Sequence, residues 1–582
     1  MKEGVCLVVS PLISLMRDQV ENLRKRGITA EYLHSGLFPY EVELVLNKSI
    51  FGKVKFLYVS PERLHSAMFL EHFKQMKVAY IVVDEAHCIS QWGYDFRPSY
   101  LDIVKIRSLQ PRVPVVALTA TATPRVMEDI CDKLSLKGCK IFQGSFSRPN
   151  ISYMVFHEED KLGRLLRIVK KVQGAAIVYV RNRRLTQDVA EYLKHSGFNA
   201  VAYHAGLKSD ERSLRQQLWM NGQVPIVVAT NAFGMGIDKA DVRLVVHLDI
   251  PDAPESYFQE TGRAGRDGKR SYAVLLYNKS DIEQLNNSIG QNYPEISFIR
   301  NVYRAVGNYY QVPIGSGNGL QFDFVPDDIC NAYGFDFIKF YSALRFLSKE
   351  GLLSIPEQDT SVSQLHIPID KDTLWRFEQD HQRYGDLIKQ ILRMYGGLFG
   401  DFVQISEREI AKRRMVDRET VVKELEKLHS LKVVVYKPKR DGLQIIFTSP
   451  RIDDASLYIS EENYKALKES AVLRKDAMLQ YVEGNFDCRT KFLLHYFGSD
   501  EGEVCGQCDI CVQRKRTPQE KQRVFDAIET AVLTKLRECP MTIQQLLSEV
   551  PNYAEKDVIE VTRMLVDLRK IRIDAMWKLS AD

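Results

Sequence analysis

Two adjacent carboxylates, Asp84 and Glu85, follow the apolar run Tyr80-Ile-Val-Val83 and precede Ala86 and His87. At a strand end, one carboxylate can hold Mg²⁺ through water while its neighbour orients a hydrolytic water on a γ-phosphate. Alone, an acidic pair is more often a solvated loop. Here similar polar clusters follow other apolar runs: Ser10-Pro11, Ser60-Pro-Glu-Arg63, Thr119-Ala-Thr121-Ala-Thr123 and Thr230 through Gly236 to Asp238. The sequence also holds Gln259-Glu-Thr-Gly-Arg263-Ala-Gly-Arg266-Asp-Gly268. Arginines on a Gly-rich segment have no evident packing purpose, and a guanidinium can stabilise charge developing on a transferred phosphoryl group.

Two further groups can do chemistry. Cys488, Cys505, Cys508 and Cys511 fall within 24 residues, while the other six of ten cysteines are scattered. Two C-x₂-C steps sharing Cys508 cannot both be disulfides, and four thiolates suit tetrahedral Zn²⁺ with no open position, a structural site. Trp92, Phe96 and Arg97 lie just after the acidic pair. Aromatic rings can stack on unpaired bases while arginine meets phosphate, although core packing is the bland alternative.

The elements that must position these groups are legible as pattern. From Val5 to Leu276, short apolar runs alternate with amphipathic stretches. The runs are Val5–Val9, Val54–Val59, Tyr80–Val83 and Val115–Leu118, then Ala175–Tyr179, Ala200–Tyr203, Ile226–Ala229, Leu244–His247 and Ser271–Leu276. Such runs predict parallel sheets buried on both faces, with ligands beyond the strand carboxyl ends. The composition, 45% hydrophobic and 27% charged, excludes a mostly disordered chain. A net charge of +5 permits a polyanionic partner without requiring one. No apolar run approaches a membrane span, no export signal opens the sequence, and the cysteine usage fits a reducing cytoplasm.

After Leu276, Gly315-Ser-Gly-Asn-Gly319 reads as a linker, and a helix–helix–strand order recurs three times, with second helices opening at Asp336, Asp417 and Asp557. Ser406-x-x-Glu409 and Thr542-x-x-Gln545 are capping boxes for two of the preceding helices. That order is winged-helix-like. The second copy is expected to continue into a hairpin whose tip, with Lys437, Lys439 and Arg440 before Asp441-Gly442, meets phosphates. The third has little sequence for a wing.

Asp84-Glu-Ala-His87 with Cys88 through Trp92, Phe96 and Arg97 to Pro98, together with Phe146-Ser-Arg-Pro-Asn150, Tyr203-His-Ala-Gly-Leu207 and Ser256 through Gly268, resembles the RecQ helicase family over nearly all of residues 1–280. Cys488 through Gly498 and Cys505 through Cys511 resemble its zinc module. The resemblance implies an α/β fold of two RecA-like domains, at 1–146 and 147–280, and a zinc module at 451–516. Winged-helix-like modules would occupy 281–450, as an insertion unusual for the family, and 517–582.

It further implies ATP-driven 3′→5′ unwinding, with Glu85 as catalytic base, Asp84 as Mg²⁺ ligand and Arg266, beside Arg263, as arginine finger. Trp92, Phe96 and Arg97 would sense DNA and relay that to His87. Ser10 and Pro11 are expected on the DNA path, and Thr119, Thr121, Gly236, Asp238 and Gln259 among the ATP contacts. The expected ligands are ATP, Mg²⁺ and structural Zn²⁺; the expected partners are single-stranded and branched DNA and repair proteins; a monomer at the cytoplasmic nucleoid is expected. Tyr94 departs from the family, which usually has His there.

No G-x-x-x-x-G-K-[ST] phosphate loop occurs in the sequence. The family places that loop upstream of the strand at Val5, so the sequence reads as truncated. An incomplete, poorly folded first domain without ATP turnover is then expected. Two other readings are a non-catalytic DNA-binding protein and a DEAH-class RNA helicase; the cysteine cluster and the Trp92 loop argue against the latter.

Overall fold

The computed structural model describes the chain apart from residues 1–2, 35–36, 38, 94–95, 137, 235–236, 356–362, 401, 439–442, 454–455, 500–502, 516–517, 552, 554, 575–576 and 582. Side chains of 39, 209, 382, 518–521 and 556 are likewise outside the description. Of the residues singled out above, Tyr94, Gly236, Lys439, Arg440, Asp441 and Gly442 therefore lie outside the described residues. The chain divides into two compact units. One comprises 1–33, 46–290 and 461–582; the other comprises 34–45 and 291–460.

In the first unit, β1 (Val5–Val9), β2 (Ala30–Leu33), β3 (Phe56–Val59), β4 (Val78–Val83) and β5 (Val115–Ala117) form one parallel sheet in the order β2-β3-β1-β4-β5. Strand β1 is paired on both sides, by β3 and β4. Strand β5 is an edge that leaves Val116 and Leu118 exposed.

A second parallel sheet contains β6 (Ile151–His157), β7 (Ala175–Tyr179), β8 (Ala200–Tyr203), β9 (Ile226–Ala229), β10 (Val242–His247) and β11 (Ser271–Tyr277), ordered β6-β11-β10-β7-β9-β8. Its two faces are apolar, packed around Val227, Val245 and Leu275 on one side and Val178, Val228 and Val246 on the other. Strands β2 and β6 were not among the expected runs. Both are edges of their sheets, and an edge strand tolerates the polar residues that hide it from an apolar-run search.

The second unit is two winged helices, one nested in the other. The outer one has a helix Ile296–Tyr309, β12 (Gln321–Asp323), helices Pro326–Tyr333 and Phe337–Lys349, and β13 (Leu353–Ser354). Its third strand arrives only at β17 (Gln444–Phe447), which pairs antiparallel with both β12 and β13. Between β13 and β17 lies the inner module: β14 (Ser363–His366), helices Lys371–Asp380 and Gln382–Met394, β15 (Val403–Ile405), helices Glu407–Arg414 and Arg418–Ser430, and β16 (Val435–Lys437). Here β14 supplies the central strand, in the order β15-β14-β16.

Two expectations are thereby corrected. The strand β16 does not return into a hairpin with β17; each pairs in a different sheet, so Lys437 ends β16 where the chain leaves the inner module. The Gly315–Gly319 segment is not a linker but a loop pinned inside the outer module, with Gly315 N–H donating to Arg451 O and Gly319 N–H to Phe447 O.

The third winged helix belongs to the first unit. Strands β18 (Met541–Thr542), β19 (Ile571–Ile573) and β20 (Lys578–Ala581) are ordered β18-β20-β19, so β19 and β20 pair as a short wing although the sequence left little room for one. Asp336 and Asp417 cap their helices, and Thr542 with Gln545 forms a reciprocal capping box. The third helix begins at Glu555, so Asp557 lies within its first turn rather than opening it.

Candidate active site and four-cysteine cluster

In a parallel sheet every strand ends on the same side, and the first sheet brings the sequence-predicted residues together there. Asp84 leaves β4 with its N–H donating to Val9 O, beside the end of β1. Ser10, fully buried, donates its hydroxyl to Asp84 Oδ2 at 3.1 Å. Burial pushes the Asp84 carboxyl up, while Ser10 and the Glu85 N–H hold it down. Tyr100 donates to the Asp84 carbonyl at 3.0 Å.

Glu85 follows with φ of 46°, a left-handed conformation that costs a non-glycine residue free energy and that collects at functional sites. Its Oε2 lies 3.4 Å from His87 Nδ1, and that nitrogen is 3.0 Å from Thr119 Oγ1. Thr119 accepts in turn from the Thr121 N–H, and the Thr121 side chain is buried. Asp84, Glu85, His87, Thr119 and Ser10 are thus one connected cluster drawn from three strand ends.

The aromatic loop joins the same edge. Arg97 donates from Nη1 to the Pro11 carbonyl at 3.2 Å, tying the loop to the turn after β1. Trp92 and Phe96 are partly exposed rather than core residues. The Arg125 guanidinium carbon sits 3.6 Å from the centre of the Trp92 ring, a cation–π stack.

The two arginines of the Gly-rich segment part company. Arg263 is 4% exposed, so the expectation that it has no packing purpose is corrected; its charge holds down the Tyr179 hydroxyl, which burial otherwise pushes up. Arg266 reaches the surface and pairs with Asp238 at 2.6 Å. Gln259, partly buried on the helix Pro254–Thr261, precedes them.

Sequence reasoning quoted Arg148 and Asn150 without giving them a task. Arg148 donates to the carbonyls of Gly262, Ala264 and Gly265, and Asn150 to those of Gly265 and Lys269. These two side chains hold the backbone of the arginine-bearing turn. Neighbouring polar residues in the motif were the available signal; their partners lie over a hundred residues away.

The four cysteines converge with their sulfurs within 4.8 Å of one another, Cys505 and Cys511 at 4.0 Å. Tetrahedral zinc with bonds of ~2.3 Å separates sulfurs by roughly 3.8 Å, so the donor set fits that ion. Backbone N–H groups of Cys505, Cys508 and Cys511 point at the sulfurs of Cys488, Cys505 and Cys508, as thiolates require. Buried Arg489 pairs with Asp509 at 2.9 Å, and Asp509 also accepts from the Val155 N–H of β6. Gln507 donates to Pro149 O and Ile151 O. The cluster therefore covers the free edge of β6.

Comparison with known proteins matches four parts of the chain to family profiles. Residues 1–130 match a DEAD/DEAH box helicase, 160–268 a helicase conserved C-terminal domain, 365–438 a RecQ helicase winged-helix domain of Bacteroidota, and 452–512 a RecQ zinc-binding region. The third match covers the inner winged helix, so that part of the insertion has counterparts among RecQ helicases. Among curated relatives, ATP-dependent DNA helicase RecQ of Pasteurella multocida is 45% identical over 285 residues, 49% of this chain and 45% of the relative. The protein of the same name from Bacillus subtilis is 44% identical over 284 residues, 48% of each. The chain spans about half the length of these relatives. No described helix is long and apolar enough to cross a membrane.

Proposed function

We propose, since the chain belongs to the RecQ family of helicases, that it is built as an ATP-hydrolysing motor that moves 3′→5′ on single-stranded DNA and unwinds branched duplexes in recombination and repair. The observation that carries the reading is the single cluster linking Ser10, Asp84, Glu85, His87 and Thr119 at the strand ends, with Arg97 tying the aromatic loop to Pro11 beside it.

In this reading Glu85 takes the proton of the water that attacks the γ-phosphate. His87 lies between Glu85 and Thr119 and passes on the position of the loop. Asp84, kept in place by Ser10, would hold Mg²⁺, which supplies charge neutralisation on the phosphates. Arg266, released from Asp238, stabilises charge on the transferred group, so hydrolysis depends on the second sheet domain. Trp92 and Phe96 stack on bases while Arg97 positions the loop. Thr121, Asp238 and Gln259 complete the nucleotide surroundings, and Arg263 lies buried beside Tyr179. The cysteine cluster would hold one structural Zn²⁺. We further assign the protein to the cytoplasm, as a monomer on DNA beside repair proteins.

A second reading is a DNA-binding protein without turnover, resting on the zinc-binding region and the winged-helix modules. Steady-state ATP hydrolysis with and without single-stranded DNA, beside Glu85→Gln, separates the two. Turnover that DNA stimulates, and that Glu85→Gln lowers by about a hundredfold or more without loss of DNA binding, carries the motor reading. DNA binding with no turnover above Glu85→Gln carries the second.

A further inference from the structure

The long helix Glu461–Glu483, which leads into the cysteine cluster, carries Arg474. Its Nη1 donates to the Trp92 carbonyl at 2.7 Å, in the aromatic loop of the first sheet domain. The same helix packs against the helix Pro254–Thr261, whose first turn holds Glu255 and which runs directly into Arg263 and Arg266. Glu255 is 3% exposed, and its Oε2 has no hydrogen-bond partner among the described residues. Burial pushes the Glu255 carboxyl up, and the nearby Arg474 guanidinium is the charge that holds it down; the Tyr496 hydroxyl is bonded to the same carboxylate.

The surrounding contacts make the same three-way junction. Phe497 stacks on Phe146 at 5.1 Å and packs on Phe258 of the Glu255 helix at 4.8 Å. Gly498 lies so close to Pro124 that a Cβ there would fall 2.5 Å from its Cγ, and Pro124 starts the helix bearing Arg125, which stacks on Trp92.

We propose that Arg474 is a positioning residue that couples the aromatic loop to the arginine-bearing segment of the second sheet domain, by exchanging the Trp92 carbonyl for the unpartnered oxygen of Glu255. This rests on the reading of the Trp92 loop as the DNA sensor. A buried carboxylate oxygen left unpaired is costly, and a guanidinium has donors to spare for it. While the Trp92 carbonyl holds Arg474, the Glu255 helix is held less firmly. When a bound strand draws the loop away, the freed donor goes to Glu255, and the helix leading to Arg266 is fixed in place. One guanidinium with two alternative acceptors is a two-state element that both sites bias.

The test is amide hydrogen exchange of residues 254–268 in the full chain, with and without an oligothymidylate strand, with zinc content and DNA affinity measured alongside. In the wild type the strand slows exchange of this segment about fivefold or more. In Arg474→Ala the DNA-dependent slowing disappears while DNA affinity stays within about threefold and one zinc is retained. Glu255→Gln, which removes the anionic acceptor but keeps the volume, also loses the slowing, and it serves should Arg474→Ala not fold. A merely structural role would change exchange equally with and without DNA. Slowing of equal size in both variants, or none in the wild type that binds DNA, overturns the proposal. Failure of the wild type to bind the strand, or binding indifferent to Trp92→Ala, overturns the reading of the loop and this inference with it.

Discussion

Single residues divide by how far their partners lie along the chain. Asp84, Glu85 and His87 were legible because they are contiguous and follow a recognisable strand. The four cysteines were legible because metal ligands come at short fixed spacings. Arg148, Asn150 and Arg474 were not, since each acts on backbone more than a hundred residues away, and nothing in local sequence records that distance. Arg263 was misjudged for the same reason: its burial beside Tyr179 is a tertiary fact. Glu255 gives the sharpest test at this scale. Its folded pKa is raised by burial above the ordinary 4.5. A raised carboxyl favours the folded state while protonated, so that stabilisation is fully present below the unfolded pKa and is lost as pH rises through the folded value. Glu255→Gln is neutral throughout. It is therefore expected to raise the melting temperature relative to wild type more at pH of about 8 than at pH of about 5, where the difference shrinks. Thermal melts at both values decide it, and a pH-independent difference would contradict it.

At the scale of elements, the buried strands announced themselves: β7 and β9 run as expected, because a strand covered on both faces must be continuously apolar. Edges and pairings were harder. Asp441-Gly442 between two short apolar runs has every local mark of a hairpin, yet β16 and β17 belong to different sheets, because each finds a better-placed partner elsewhere. The wing of the third module, a hairpin of three- and four-residue strands, is too short to show a period. The turn that presents Arg266 is set by Gly265, with φ of 56°. A Cβ there would lie 2.4 Å from Asn150 Nδ2 and 2.8 Å from Lys269 O. Gly265→Ala is therefore expected to cost about 2 kcal/mol of stability and to displace the arginine segment. Denaturant unfolding measures the first, and a loss below about 0.5 kcal/mol would show that the turn relaxes freely.

Across the whole molecule, family profiles match four separate stretches between residue 1 and residue 512, while the nesting of one winged helix inside another takes the place of the two successive winged-helix-like modules expected in the long middle segment. The nesting was illegible because the outer module is completed only by β17, after the entire inner module has intervened. It has a direct consequence. Replacing residues 358–441 by a short turn should leave the outer module folded, since β12, β13 and β17 are all retained. Protease resistance of 296–354 in that variant checks this, and rapid cleavage would show that the outer module depends on the inner one. The central claim, that the strand ends of the first sheet hold a DNA-sensing loop beside a hydrolytic cluster, is tested most directly by equilibrium binding of a fluorescent single strand across a salt series. The account predicts salt-dependent binding that Trp92→Ala or Arg97→Ala weakens about tenfold, with DNA bound more tightly than RNA of the same sequence. Affinity unchanged by either substitution, or RNA bound as tightly as DNA, would contradict it.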